Sequence, residues 1–204
     1  TNRLADRVSL YYLGAGRIDW KPIVAALQGV RGPAMERAEW ALQVAGENDN
    51  PYDTAFANHM AALTYLIVRA LDRAQEAAER SVSLSDEHNY PQFSAIARIA
   101  LGRAIAELDD ATAGVSLIHQ GLEAMARTGA RAGLTMYLVW LAEAQNLARS
   151  PGNAAATLER ALTINPQERL YRAEALKLDL VDIKVAAIDN AWSGLKLVIR
   201  VDRR

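Results

Sequence analysis

The sequence predicts an all-α protein whose antiparallel helix pairs stack into a right-handed superhelix. Apolar residues recur at helical spacing along almost the whole chain, whereas alternating stretches rich in Val, Ile and Thr are scarce. Apolar residues make up 51% of the 204 positions, which is enough for a continuous core. Small residues also recur with a period of forty, and a fixed period of this size is typical of a helical repeat.

The period is clearest in three segments that align without a gap, at 61–85, 101–125 and 141–165. A glycine inside a helix costs roughly 1 kcal/mol relative to alanine, so glycines kept there need a structural reason. We predict that these small residues lie where the two helices of a pair cross closely. They form three columns: Ala62, Gly102 and Ala142; Ala74, Gly114 and Ala154; and Ser81, Gly121 and Ala161.

The period divides the chain, as one domain over 1–204, into four helix pairs and an irregular last unit. In the first pair, Asp19 is a candidate N-cap, which places Pro22 in the first helical turn, where proline is tolerated. Pro91, Gly129 and Gly133 supply turn signals in the linkers between later pairs. The predicted pairs are about 20–29 with 33–46, 53–69 with 72–86, 92–107 with 110–127, and 131–148 with 152–163.

The last unit, 168–204, is predicted to cap the repeats. Residues 168–184 are amphipathic, but the large and small positions of the repeat are replaced there, as suits a terminal repeat. Residues 195–201 are compatible with either a helix or a strand.

The fourth pair shows most clearly the order of large and small positions that the repeat follows, which ends on a proline. Its residues at these positions are Leu138, Leu141, Ala142, Gln145, Ala154, Leu158, Ala161 and Pro166. This order resembles the tetratricopeptide repeat. The chain departs from that family at Gln145, where an aromatic residue is usual, and in its repeat length, which exceeds the standard length of about 34 residues.

A narrower resemblance covers about residues 33–178. Short motifs there, such as Leu101-Gly102 and Thr128-Gly129-Ala130, look like the C-terminal repeat region of bacterial adenylate cyclase-like signalling ATPases and transcriptional regulators. The resemblance implies that this chain is the regulatory or sensory end of a larger bacterial signalling protein. Any cyclase or ATPase activity would then lie outside these residues.

Composition and motifs argue against several functions. The formal net charge of −1, without a basic block, predicts no nucleic-acid partner. No apolar run reaches the roughly 20 residues of a membrane span, and there is no cysteine, so we expect a cytoplasmic protein. Gly14 and Gly16 lack the third glycine of a dinucleotide fingerprint. His59, His88 and His119 lack metal-ligand spacing. We therefore predict no enzyme, no cofactor and no metal.

Adjacent acidic residues, Asp109 and Asp110, fall at a predicted turn between two helices. Aspartate at a helix start accepts hydrogen bonds from free backbone N–H groups. Capping is therefore the interpretation we prefer to acid–base catalysis.

The remaining candidate site is the concave face of the superhelix, which the first helix of each pair lines. A mixture of apolar and polar residues there suits a bound protein or peptide, or another domain of the same polypeptide. The alternatives are a small-molecule-sensing repeat domain of a transcriptional regulator, and simple burial of about half of these residues between repeats. Self-association is compatible with either function. The predicted groove residues are Phe56, His59, Leu63, Ile99, Arg103, Met136, Val139, Glu143 and Asn146.

Overall fold

The structure is a computed structural model that describes residues 21–48, 50–131, 133–164, 183–191 and 194–201. From residue 21 to 164 it consists of consecutive helices joined by short turns, which confirms the predicted helical repeat fold. The helices are α1 (Lys21–Leu27), α2 (Arg31–Glu47), α3 (Pro51–Ile67), α4 (Leu71–Glu87), α5 (Pro91–Leu108), α6 (Ala111–Thr128), α7 (Leu134–Leu147) and α8 (Pro151–Ile164).

The forty-residue period is visible in where the helices begin. The second helices of the pairs start at Arg31, Leu71, Ala111 and Pro151, each forty residues after the last. Among the first helices, α3 and α5 keep this spacing. The next one, α7, begins at Leu134, whereas the sequence predicts a start near residue 131.

The late start of α7 follows from the turn that precedes it. Gly129 and Gly133 both have a left-handed backbone, with φ of 73° and 78°. Glycine adopts this conformation without steric cost, whereas other residues rarely do. Gly129 ends α6 as its C-cap, and Gly133 occupies the N-cap position of α7.

The helices of the third pair, α5 and α6, cross very closely. A Cβ atom added to Gly102 would lie 2.6 Å from the Gly114 carbonyl oxygen, and one added to Gly121 would lie 2.6 Å from the Ala95 carbonyl oxygen. Gly114 on α6 meets Gly102 on α5, and the later Gly121 meets the earlier Ala95, so the two helices run antiparallel. The close approach gives the reason for glycine at these positions, because even an alanine would meet backbone atoms.

The other pairs use alanine or serine where α5 and α6 have glycine. Ala62, Ala74 and Ser81 in the second pair are fully buried, and Ala142, Ala154 and Ala161 in the fourth pair are at most 2% exposed. The residues of the three small columns are therefore buried in each of these pairs.

Two strands lie near the end of the chain, β1 (Ile183–Ala191) and β2 (Gly194–Val201), and they pair antiparallel from Ile183 opposite Val201 to Ala191 opposite Gly194. The segment 195–201, compatible with helix or strand from sequence, is a strand. All-α is thus the class of residues 21–164 rather than of every described residue. Most of the predicted capping helix, and the candidate cap Asp19, lie outside the described residues.

Candidate functional site

The first helices of the second, third and fourth pairs, α3, α5 and α7, are called the inner row here. All nine residues predicted to line a groove lie on these helices. Seven are buried, and only Glu143 and Asn146 are partly exposed.

For the apolar members of the set, the structure favours the alternative given above, simple burial between repeats. Leu63, Ile99 and Val139 are at most 1% exposed, and Phe56 and Met136 are 7% and 8% exposed. The reason is that these side chains pack into one core cluster that continues from helix to helix along the inner row. They stabilise the stack and do not form an open surface.

The polar members come together in an ion network, defined here as Arg69, Arg103, Glu107 and Glu143. The Arg103 guanidinium donates from Nε and Nη2 to Glu143 Oε2, at 2.8 Å and 2.6 Å. Its Nη2 also bonds Glu107 Oε1, and Arg69, in the turn after α3, bonds the same oxygen. The network therefore links three successive repeats.

Burial controls the electrostatics of this network. The Arg103, Glu107 and Glu143 side chains are only 8%, 10% and 12% exposed. Burial raises the pKa of the Glu143 carboxyl, and the Arg103 guanidinium acts against that rise. The two arginines balance the two glutamates in charge, and Arg103 is buried beside both of them, whereas the Arg69 side chain is 59% exposed. Arg103 Nη1 is buried without a hydrogen-bond partner among the described residues.

Sequence reasoning found half of the ion network. It placed Arg103 and Glu143 on one face because they are one period apart, but it missed Glu107 and Arg69. Glu107 could have been found, since it lies four residues after Arg103 on the same helix, a spacing at which opposite charges meet. Arg69 gives no such signal, because it lies in the turn after α3.

An aromatic cluster of Phe56, His59 and Phe93 lies in the first halves of α3 and α5, whereas Arg103 and Glu107 lie in the second half of α5. His59 lies 6.0 Å from Phe56 and 5.5 Å from Phe93, measured between ring centroids. Its two ring nitrogens are buried and have no hydrogen-bond partner in the part of the chain that is described. Burial lowers the pKa of His59 to about 4, so the ring is neutral at pH 7. Sequence reasoning missed Phe93.

The accessible part of the inner row lies at the ends of its helices. Leu108, directly after Glu107, is 41% exposed, and Leu147, one helical turn after Glu143, is 47% exposed. Two exposed leucines in successive repeats therefore lie one and four residues along the chain from Glu107 and Glu143. We call Leu108, Leu147 and the ion network together the inner surface.

No group of three or more His, Cys, Asp or Glu residues in the described ranges could hold a metal ion. In the same ranges, no helix combines the length and the apolarity that crossing a membrane requires.

The paired helices and their small-residue crossings define a helical repeat protein of tetratricopeptide-like architecture. The crystal structure of the apo form of RapI is a solved structure with this fold. It is 18% identical to this chain, with a TM-score of 0.59 over 76% of this chain and 57% of the RapI chain. At that identity the likeness shows the fold alone. This chain spans little more than half the length of RapI.

No protein-family model matches the chain, and no curated protein matches it significantly. The link to adenylate cyclase-like signalling proteins therefore stays a prediction.

Proposed function

We propose that this chain is a non-catalytic protein-interaction scaffold that holds a protein or peptide partner on the inner surface. The observation that carries the proposal is the ion network, which fixes charged groups across three repeats beside the exposed Leu108 and Leu147. The RapI-like helical repeat fold supports the same class of function.

The chemistry of the inner surface suits a polypeptide partner. Exposed leucines supply apolar contact area, and Arg69, whose side chain is 59% exposed, supplies the charge of the ion network that a partner can reach. Because Glu107 and Glu143 are already held by arginines, their orientation is fixed before a partner arrives, which reduces the entropy lost on binding.

The test uses two surface variants and a matched control. Leu108→Asp with Leu147→Asp places charge on the inner surface, and Trp40→Asp does the same on α2, where Trp40 is 48% exposed. We expect the double variant to lose partners cross-linked to the wild-type chain in cells of its source organism, with an unchanged melting curve. Trp40→Asp should keep them. Equal capture by the double variant, or equal loss in Trp40→Asp, would contradict the proposal.

The finer proposal is that the scaffold is the regulatory or sensory C-terminal repeat region of a larger bacterial signalling protein linked to a cyclase or ATPase. Its partner could then be another domain of the same polypeptide. This finer proposal is supported by the sequence resemblance of residues 33–178 described above. The test is the gene sequence upstream of the Thr1 codon. An in-frame nucleotide-binding domain would support the finer proposal, and a start codon a few residues upstream would contradict it.

A further inference from the structure

A cavity of about 450 Å³ lies away from the inner surface, between the second helices of two neighbouring pairs. Its walls are the last turns of α4 and α6, and its floor is the first two turns of α5. The volume falls in the range of sites that hold small molecules. Eight of its ten lining residues are polar or charged, so its chemistry differs from that of the core beneath it.

One pair of charges in the cavity is already satisfied. The Arg98 guanidinium donates two hydrogen bonds to the Asp86 carboxylate, from Nη1 to Oδ1 at 3.2 Å and from Nη2 to Oδ2 at 2.6 Å. The Ser94 hydroxyl donates to Asp86 Oδ1 at 2.7 Å. Burial acts to raise the pKa of Asp86, but the bonds from Ser94 and Arg98 outweigh it and lower the pKa. These three residues form a fixed part of the cavity lining, which joins one wall to the floor.

A second pair of charges is left without ion partners. Glu123 and Arg127 line the cavity from the last two turns of α6, and neither forms an ion pair within the described residues. They are four residues apart, so their Cβ atoms lie roughly 5–6 Å from each other on one helix face. Both side chains are exposed, and opposite charges at this spacing can also meet each other, so a molecule that carries both charges has to compete with that contact.

A buried hydroxyl in the same cavity also lacks a partner. Ser85 lines the wall, is almost fully buried, and its Oγ makes no hydrogen bond to any described residue. A buried polar group without a partner is unfavourable, and a bound polar molecule would remove that cost once the hydroxyl turns toward the cavity, because its oxygen is not accessible as it stands.

We propose that this cavity binds a small zwitterion of the free amino acid type, with Arg127 taking the carboxylate and Glu123 the ammonium group. A simple anion would have to lie beside Glu123, and a simple cation beside Arg127. A molecule that carries both charges satisfies both residues and leaves the pair of Asp86 and Arg98 intact. The site is independent of partner binding on the inner surface.

The test is a titration with the standard L-amino acids, each added singly at millimolar concentration and followed by the backbone amide resonance of Ala124 in the cavity wall. We expect a saturable shift for at least one of them. Its N-acetyl derivative, which lacks the ammonium group, and its amide, which lacks the carboxylate, should each bind at least about tenfold more weakly. The dipeptide that begins with the same residue distinguishes a free amino acid from a peptide terminus.

Variants locate the site. Glu123→Gln and Arg127→Gln should each weaken binding at least about tenfold, whereas Glu159→Gln and Arg160→Gln, exposed charges on α8, should not change it. The proposal is overturned if no amino acid gives a saturable shift. It is equally overturned if the singly charged derivatives bind as tightly as the parent, if a peptide binds more tightly than the free amino acid, or if the α6 variants bind as the wild type does.

Discussion

The second and third helix pairs, α3–α4 and α5–α6, occupy equivalent places in the repeat but are held together differently. The second pair crosses at Ala62, Ala74 and Ser81, and its first helix buries an unpaired His59. The helices of the third pair cross at glycines, so closely that a Cβ atom at these positions would meet the backbone of the facing helix. The first helix of this pair buries the charged Arg103. The second pair therefore buries a neutral histidine, and the third pair buries a charged arginine that is paired with two glutamates.

The repeat period therefore fixes backbone positions more strictly than it fixes side-chain chemistry. His59 shares its column with Ile99 and Val139, and Arg103 shares its column with Leu63 and Glu143. Each position is buried in its helix or lies at the edge of the core, yet the means of burial changes from repeat to repeat. Substitutions at these columns should therefore have effects that differ in size and in pH dependence.

The largest expected effect is that of removing the buried cation of the third pair. Arg103→Met leaves the Glu143 carboxylate without the arginine that bonds it and weakens the hold on Glu107. Breaking a buried pair in this way typically costs about 3–5 kcal/mol. We expect that loss in the free energy of unfolding at pH 7, measured by urea denaturation.

The control for this experiment is Arg80→Met on the exposed face of α4, which should change the free energy of unfolding by no more than about 0.5 kcal/mol. Equal effects of the two substitutions would show that the ion network contributes nothing specific.

The second pair should be recognisable by its response to acid. The folded pKa of His59, about 4, lies below the usual value of 6.5, so the unfolded chain binds more protons between these values. The stability that the neutral ring contributes is complete above pH 6.5 and is lost as the pH falls toward 4, by about 3 kcal/mol.

His59→Leu, which introduces an apolar residue like Ile99 and Val139 of the same column, should therefore be about 3 kcal/mol less sensitive to this pH change than the wild type. Denaturation curves at pH 7 and pH 4 measure the difference. His119→Leu, at an exposed position of α6, is the control and should leave the pH dependence as it is. Parallel curves for the wild type and His59→Leu would be evidence against a buried neutral ring.

The glycine crossing gives a third contrast. For a change from glycine to alanine there, helix propensity predicts a gain in stability, whereas packing predicts a loss. Gly114→Ala would bring a Cβ to 2.6 Å from the Ala106 Cβ, so we expect a loss of about 1–3 kcal/mol through overpacking. Gly46→Ala on α2 meets nothing within 4 Å and should gain about 0.5–1 kcal/mol. A gain for both variants in thermal melts would mean that the third pair does not cross as closely as described.

Much of this fold could be predicted from the sequence, since the period of forty sets the helix pairs and the small columns set their crossings. The late start of α7 could not, because it depends on two left-handed glycines whose backbone angles the pattern does not specify. For the candidate site, the period placed Arg103 and Glu143 on one face. It could not show that the neighbouring helices cover Leu63, Ile99 and Val139, because burial depends on how closely successive repeats approach each other.

The smallest expected contrast lies at the turns that join the helices of each pair. In the third pair, the Asp110 side chain caps α6 by accepting hydrogen bonds from the Thr112 N–H at 2.8 Å and the Ala113 N–H at 3.0 Å, as the sequence predicted. In the second pair the equivalent residue is Ala70, which has no side chain that can cap α4. Loss of such a cap costs about 1 kcal/mol.

Asp110→Ala should therefore lower the free energy of unfolding by about 1 kcal/mol and make the third pair resemble the second at this turn. Asp110→Asn should retain most of the stability, because the amide oxygen can accept the same bonds. The matched control is Asp109→Ala, which removes a neighbouring carboxylate whose side chain makes no capping bond in the described turn. If Asp109→Ala cost as much as Asp110→Ala in urea denaturation, the effect would come from loss of negative charge near the start of α6, and the directional hydrogen bonds would not be its cause.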